Sequence, residues 1–129
     1  MNGRYLLDTN IVIAIFADEV VVRQQLAGAV EVFVPSIVLG ELYYGAQKSA
    51  RIASNVARVD EFASNNTVLV CDTETALQYG EIKSELRAKG RPIPENDIWI
   101  AAVAKQHQLA LITRDGHFNN VDGLLLEVW

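Results

Sequence analysis

Short apolar runs alternate with longer segments of helical periodicity along the whole chain. The apolar runs predict strands at residues 5–7, 30–34, 67–70, 109–113 and 124–128. The segments between them predict helices at about residues 11–16, 37–48, 50–63, 73–89 and 96–103. Strands that alternate with helices form mostly parallel sheets covered on both faces. The sequence therefore predicts a single α/β domain over residues 1–129, with a central parallel sheet of about five strands and helices on both faces.

Small polar residues and glycine mark the predicted ends of these helices. Ser36 is expected to cap the helix that follows the second strand, and Asp72 or Thr73 the helix that follows the third. The glycine of Lys89-Gly90 is a natural helix stop. The short connections leave no room for a linker between domains, which favours one continuous unit.

Composition narrows the class of protein. Cys71 is the only cysteine in the 129 residues, so no internal disulfide can form and the cytoplasm is the expected location. No apolar stretch approaches the ~20 residues of a membrane span, and Asp8 follows the first apolar run too closely for a signal peptide. The formal net charge of −5 argues against a polyanionic partner. Two bound divalent cations would change it to −1, because −5 plus 4 is −1.

Four acidic residues fall at strand ends or helix starts. Asp8 ends the first predicted strand, and Asp115 follows the fourth by two residues. Glu41 is the only charge in an apolar helical segment, and Asp97 precedes another. Each acid also has an ordinary explanation as a turn residue, a helix cap or a solvent-facing charge. Because the carboxyl ends of parallel strands share one edge of a sheet, the coincidence of all four predicts a common site.

Carboxylates brought this close repel one another unless a cation is bound. Oxygen ligands favour Mg²⁺, or Mn²⁺ in its place, over zinc, which prefers nitrogen and sulfur. His107 and His117 are separated and lie off the acidic positions, so they are predicted to be surface or packing residues. Such a site can activate water for hydrolysis of a phosphodiester, and Asn10 and Thr113 could support it. Thr9 is better explained as a turn or cap residue.

At this point the sequence resembles a family, the PIN-domain proteins of the VapC type, which are toxic ribonucleases of bacterial toxin-antitoxin pairs. The resemblance covers nearly the whole chain. It is carried by an ordered series of segments, LDTN at 7–10, PS at 35–36, GELYYG at 40–45, GRPI at 90–93, DIWIAAVA at 97–104 and TRDGHF at 113–118. Each segment alone is a weak signal, and their order makes the resemblance specific.

The resemblance implies a PIN-like fold, a homodimer, Mg²⁺-dependent cleavage of RNA and inhibition by a cognate antitoxin. It assigns catalysis and metal binding to the four acids already singled out, Asp8, Glu41, Asp97 and Asp115. Asn10 and Thr113 match supporting polar positions of the family. Arg114 departs from the family, in which many members carry Asn there, so its side chain either touches substrate phosphate or faces solvent.

Two surfaces are candidates for partners. Cations that could guide an RNA backbone, or simply form solvated helix faces, are Lys48, Arg51, Arg58, Lys83, Arg87, Lys89 and Arg91. Apolar residues that could form a groove for an antitoxin helix, or belong to the core or a dimer interface, are Phe16, Val20, Val21, Val22, Tyr43 and Tyr44.

Two alternative functions remain open. A phosphoacceptor signalling domain has a similar architecture, and Asp8 and Asp72 both follow strands. That class needs an acidic pair at the first strand and a lysine after the last, and the chain ends at Trp129 without one. A catalytically inactive PIN-like binding module is the second alternative, although this chain keeps all four acids.

Overall fold

The computed structural model describes residues 3–129. Along the chain, the strands and helices are β1 (Arg4–Leu7), α1 (Thr9–Phe16), α2 (Val20–Ala27), β2 (Glu31–Pro35), α3 (Ser36–Gln47), α4 (Ile52–Ser64), β3 (Thr67–Leu69), α5 (Thr73–Ala88), α6 (Glu95–His107), β4 (Ala110–Ile112) and β5 (Leu126–Glu127). A short 3-10 helix, Gly116–Asn120, lies between β4 and β5.

The five strands form one parallel sheet in the order β3-β2-β1-β4-β5. The chain first moves outward from β1 through β2 to β3, and then crosses to the other side of β1 to form β4 and β5. The strand order therefore reverses between β1 and β4, where the register pairs Leu7 with Ile112. In open α/β sheets the carboxyl ends of strands at such a reversal form the usual ligand-binding crevice. The predicted α/β fold with a parallel sheet of about five strands is confirmed.

The central strands are buried on both faces. Successive side chains of a strand point to opposite faces of the sheet, and Leu6 and Leu7 are both 0% exposed. The three residues of β4 are buried in the same way. Helices must therefore cover both faces, which explains why these strands are continuously apolar rather than alternating.

Local signals account for most of the helix boundaries. Asp72, one of the two residues predicted to cap α5, does so through a reciprocal capping box with Thr75. Gly90 follows α5 with φ +68°, a left-handed conformation that glycine adopts without strain. Ser36 is the first helical residue of α3 rather than its cap, and Pro35 occupies the cap position without a side-chain hydrogen bond.

Three elements of the structure differ most from the prediction. Helix α2 was not predicted, because its start, Val20-Val21-Val22, is a β-branched run with poor intrinsic helix propensity. Helix α6 extends beyond the predicted end to His107, and Gln108 then turns the chain with φ 56°. Strand β5 is shorter than predicted, spanning Leu126–Glu127. No helix within residues 3–129 combines the length and apolar character needed to cross a membrane.

Candidate active site

Asp8 lies where β1 ends and α1 begins, and it is the most deeply buried acid of the site at 5% exposed. Its side chain caps α1 by accepting a hydrogen bond from the Thr9 N–H at 2.8 Å. Its own N–H donates to the Ile112 carbonyl at 3.0 Å, which continues the pairing of β1 with β4. The backbone on both sides therefore fixes this carboxylate at the carboxyl edge of the sheet.

Two threonine hydroxyls orient the carboxylates of Asp8 and Glu41, which form the inner part of the site. Thr113, which follows β4 and is buried, donates a hydrogen bond of 2.7 Å to Asp8 Oδ2. Thr9 Oγ1 donates to Glu41 Oε1 at 3.0 Å. Glu41 comes to this edge because α3 begins directly after β2, and β2 pairs with β1. Thr9 therefore connects Asp8, through its N–H, with Glu41, through its hydroxyl.

Asn10 lies between the ends of β1 and β4. Its Nδ2 is 3.5 Å from both Asp8 Oδ2 and Thr113 Oγ1. Its Oδ1 accepts a hydrogen bond from the Arg114 N–H at 3.3 Å. Asn10 and Thr113 thus both contact Asp8, and they link α1 to the loop that follows β4.

Asp97, Asp115 and His117 form the outer part of the site. The Nδ1 atom of His117 lies 3.1 Å from Asp97 Oδ2 and 3.0 Å from Asp115 Oδ1. The carboxylate side chains are 14% and 34% exposed, and the imidazole is 51% exposed. The prediction that His117 lies off the acidic positions is therefore wrong, although its imidazole is at the surface as expected. The 3-10 helix brings it back onto Asp97 and Asp115, a turn that chain spacing does not reveal.

Thr113 joins the inner and outer parts. Its Oγ1 donates to Asp8 and accepts a hydrogen bond of 3.0 Å from the Asp115 N–H. Asp115 in turn caps the 3-10 helix by accepting from the His117 N–H at 2.9 Å. The four acids predicted from the sequence are thus brought to one edge of the sheet, linked by two hydroxyls and one imidazole.

Burial and neighbouring charges raise the pKa of three carboxyl groups of the site, those of Asp8, Glu41 and Asp97. Burial raises the pKa of Asp8, and the charge of Asp115 raises it further, while hydrogen bonds from Thr113 and Thr9 lower it. Burial also raises the pKa of Glu41, with added repulsion from Asp8 and Asp97. For Asp97, burial and repulsion from Asp8 and Asp115 raise the pKa, and His117 opposes the rise. The cluster is thus held in place at an electrostatic cost.

A divalent cation fits this set of donors. The groups that converge are carboxylates, which suit the hard cations Mg²⁺ and Mn²⁺. Burial and like charge raise the pKa values of Asp8, Glu41 and Asp97, and a bound cation would favour their ionised forms. Among residues 3–129, Asp97, Asp115 and His117 have ligand atoms that all lie within 4.8 Å of one another. Asp8 and Glu41 are coupled electrostatically to this group.

The PIN-domain sequence profile matches residues 5–124, which is most of the chain. The chain belongs to the PIN-domain family. It is 40% identical over 131 residues to Ribonuclease VapC2 of Haemophilus influenzae (strain Rd), covering 98% of each chain. It is 34% identical over 129 residues to the tRNA(fMet)-specific endonuclease VapC of Shigella flexneri, again covering 98% of each.

A solved structure agrees with this PIN-domain assignment. The structure of DNA-bound VapBC from Salmonella typhimurium contains a chain that superimposes with a TM-score of 0.91 at 33% sequence identity, with 98% of each chain covered. The resemblance to VapC ribonucleases inferred from the ordered segments is therefore confirmed, and with it the enzyme class of that family. The phosphoacceptor alternative finds no support.

Arg114 neither points freely into solvent nor reaches the carboxylates of this PIN-domain site. Its guanidinium donates to both carboxylate oxygens of Glu19, at 3.3 and 2.9 Å, and to the Trp129 carbonyl at 2.8 Å. The hydrogen bond to Glu19 lowers the pKa of that carboxyl. Arg114 thus ties the start of α2 and the end of the described chain to the loop that carries Asp115.

Several residues predicted for the two partner surfaces are buried or already paired within the chain. Val22 is fully buried and cannot line a groove, whereas Val20 and Val21 are about half exposed, at 54% and 55%. Phe16 packs edge-to-face against Phe62 at the floor of an open depression between α1, α2 and α4. Of the predicted guiding cations, several are already engaged, namely Lys83 with Glu95, Lys89 with Asp122, and Arg58 with the Phe16 carbonyl and ring.

Proposed function

We propose that this protein is a Mg²⁺-dependent ribonuclease that acts as the toxin of a VapBC-type toxin-antitoxin pair. The observation that carries the proposal is the convergence of Asp8, Glu41, Asp97 and Asp115 at the carboxyl edge of the sheet. Three of these carboxyls have a pKa raised by burial, and each feels the charge of at least one other. A site of this kind favours a divalent cation, and the relatives of this PIN-domain chain are named ribonucleases.

The four acids are the proposed metal ligands and catalytic residues, with Mn²⁺ able to replace Mg²⁺. When bound, such a cation supplies Lewis acidity toward water and a phosphodiester, and neutralises charge on the phosphate. Four carboxylates can hold one ion or two, and we expect the number bound to depend on the substrate.

The residues around the acids hold them ready for this role. Thr113 and Thr9 donate to Asp8 and Glu41, and such bonds fix which oxygens of a carboxylate remain available to a ligand. Asn10 contributes through its contacts with Asp8 and the Arg114 N–H. We assign Asn10 and Thr113 a positioning role, and we assign Arg114 to the support of the loop rather than to substrate contact.

RNA is the proposed substrate. One relative is named for cleavage of tRNA(fMet), which supports a structured RNA as the substrate class for this chain. The net charge of −5 opposes RNA binding until cations occupy the acidic cluster. Metal binding and RNA binding are thus expected to be coupled. An RNA substrate and a single, unpaired cysteine both support a cytoplasmic location.

A cognate antitoxin and a second copy of this chain are the proposed protein partners. Solved neighbours with high structural similarity are VapBC complexes, from Salmonella typhimurium among others. The depression around Phe16 and Phe62, with the exposed Val20 and Val21 nearby in the chain, is our candidate for the antitoxin surface. Copurification of a small protein from the native host, and the mass of the purified chain in solution, test these two assignments.

The central test replaces one acid at a time. Asp8→Asn and Asp97→Asn are expected to reduce Mg²⁺-dependent RNA cleavage to background while leaving the circular dichroism spectrum unchanged. Asp18→Asn is the matched control, because Asp18 is an exposed surface acid paired with Arg23 outside the cluster. Equal cleavage by the wild type and both cluster variants would contradict the mechanism, whereas no cleavage above background by the wild type itself would favour an inactive binding module.

A second measurement tests the metal site without activity. A ligand that binds only the native state stabilises it, by about 2.7 kcal/mol at ~100 times its Kd. Mg²⁺ or Mn²⁺ is therefore expected to raise the melting temperature of the wild type and of Asp18→Asn, but much less that of Asp97→Asn. No stabilisation of the wild type by either ion would overturn the proposed metal dependence.

A further inference from the structure

His117 is placed on the acidic cluster by the fold rather than by chance orientation of a surface side chain. His117 lies in the 3-10 helix. The following residue, Phe118, is 0% exposed and anchors this turn in the core. The His117 N–H donates to Asp115 Oδ1 at 2.9 Å, and its carbonyl accepts from Asn120 Nδ2 at 3.3 Å. The backbone is thus fixed on both sides of the imidazole.

The imidazole presents Nδ1 to the same space as two carboxylate oxygens. Nδ1 lies 3.1 Å from Asp97 Oδ2 and 3.0 Å from Asp115 Oδ1, and the ligand atoms of the three residues lie within 4.8 Å of one another. A cation seated between these two carboxylates would therefore meet a ring nitrogen as well as oxygens. The half-exposed ring has room to adjust when its contact with the carboxylates is replaced by a cation.

We propose that His117 is a nitrogen ligand of the cation site and gives that site added affinity for transition cations such as Co²⁺, but not for Mg²⁺. Imidazole nitrogen binds borderline transition metals well, whereas Mg²⁺ strongly prefers oxygen. The proposal rests on the proposed function, since it takes Asp97 and Asp115 as metal ligands. It adds a nitrogen ligand to the carboxylate oxygens, which raises the affinity for such transition cations while Mg²⁺ still binds through oxygen.

The test compares His117→Gln with His107→Gln in the full chain, using binding rather than activity as the readout. Gln retains an N–H that can donate to Asp97 and Asp115, so a purely structural hydrogen bond is preserved while the ring nitrogen is lost. His107 is the matched control, because it lies at the end of α6 and has no part in the three-residue group. Co²⁺ is the probe, since its visible absorption responds to its ligands, and Mg²⁺ affinity is measured by calorimetry.

We expect His117→Gln to weaken Co²⁺ binding by at least about tenfold and to change the Co²⁺ spectrum, with Mg²⁺ affinity unchanged and His107→Gln like the wild type. Co²⁺ binding by His117→Gln equal to that of the wild type would overturn the proposal and leave the proposed function standing. An equal loss of Co²⁺ and Mg²⁺ affinity would also overturn it, because His117 would then only position the carboxylates. Failure of the wild type to bind either ion would overturn the proposed metal site as well.

Discussion

The inner and outer parts of the acidic cluster are built in different ways. The inner carboxylates, Asp8 and Glu41, receive hydrogen bonds from neutral hydroxyl and backbone donors. The outer carboxylates, Asp97 and Asp115, face a half-exposed imidazole, His117. The inner part is therefore oriented by neutral donors, and the outer part by an imidazole whose ring nitrogen can also bind a metal.

This difference separates a rigid inner part of the site from a more adaptable outer part. Asp8 is covered by the sheet and joined to its neighbours by short bonds, so it can define the position of a cation before that cation arrives. Asp115 lies on a loop whose geometry depends on the 3-10 helix after β4. The outer part is thus better suited to adjust to substrate or to a second ion.

Thr113→Val should have the largest effect on the inner part. Valine keeps the shape but removes the donor to Asp8 and the acceptor for the Asp115 N–H. Leaving these buried groups unpaired costs about 1–3 kcal/mol of the free energy of unfolding. Loss of a group that orients ligands is also expected to weaken Mg²⁺ binding roughly 10–100-fold. Chemical denaturation and calorimetry measure the two effects.

Thr113→Ser is the matched control for this prediction, because serine keeps the hydroxyl and loses only a methyl group. It is expected to bind Mg²⁺ as the wild type does, whatever its small effect on packing. If Thr113→Val retained wild-type Mg²⁺ affinity, the inner part would not be oriented by this hydroxyl. The contrast between the two parts would then be incorrect.

A smaller effect is expected of Asp8 on the pH dependence of the free energy of unfolding, measured without metal. Because the folded-state pKa of Asp8 is raised above its ordinary value of 3.8, the folded protein holds this proton to higher pH than the unfolded chain does. The contribution of Asp8 is therefore most favourable at low pH, and it is lost as the pH rises from that ordinary value through the raised folded value. Glu41 and Asp97 shift in the same direction from 4.5 and 3.8.

Comparison with Asp8→Asn isolates this contribution from carboxyls whose pKa is lowered, such as Asp72. The variant should gain stability relative to the metal-free wild type as the pH rises toward neutral, when measured by denaturation in a chelator. Saturating Mg²⁺ should reverse that order, because the metal requires the deprotonated carboxylate. A stability difference that did not change with pH would show that Asp8 carries no electrostatic cost.

The sequence predicts the convergence of the four acids but not the position of His117, for physical reasons. Asp8 and Glu41 follow from local rules, since each comes directly after a strand or near the start of a helix at the edge where parallel strands end. His117 could not be predicted in the same way, because its approach to Asp97 depends on how Phe118 packs in the core. The Asp115-x-His117 spacing was the available signal, and it has meaning only once a tight turn is known.

The partner of Arg114 was missed for a related reason. Glu19 precedes α2, and the β-branched start of that helix does not indicate a helix by propensity. Tertiary packing decides its conformation, with Val22 fully buried against the core. Without α2, nothing in the sequence brings Glu19 near Arg114, so the sequence left only substrate contact or solvent exposure as roles for this arginine.

The smallest effect is expected at the Arg114–Glu19 ion pair, which borders the outer part. Both side chains are partly exposed, at 35% and 43%, and exposed ion pairs contribute little because solvent and salt screen them. A double-mutant cycle with Arg114→Gln and Glu19→Gln should therefore give a coupling free energy near the limit of measurement that disappears at high salt. The hydrogen bond from Arg114 to the Trp129 carbonyl makes Arg114→Gln the more destabilising of the two. A strong coupling that persisted at high salt would show that the loop carrying Asp115 is as firmly held as Asp8, and the contrast between a rigid inner part and an adaptable outer part would fail.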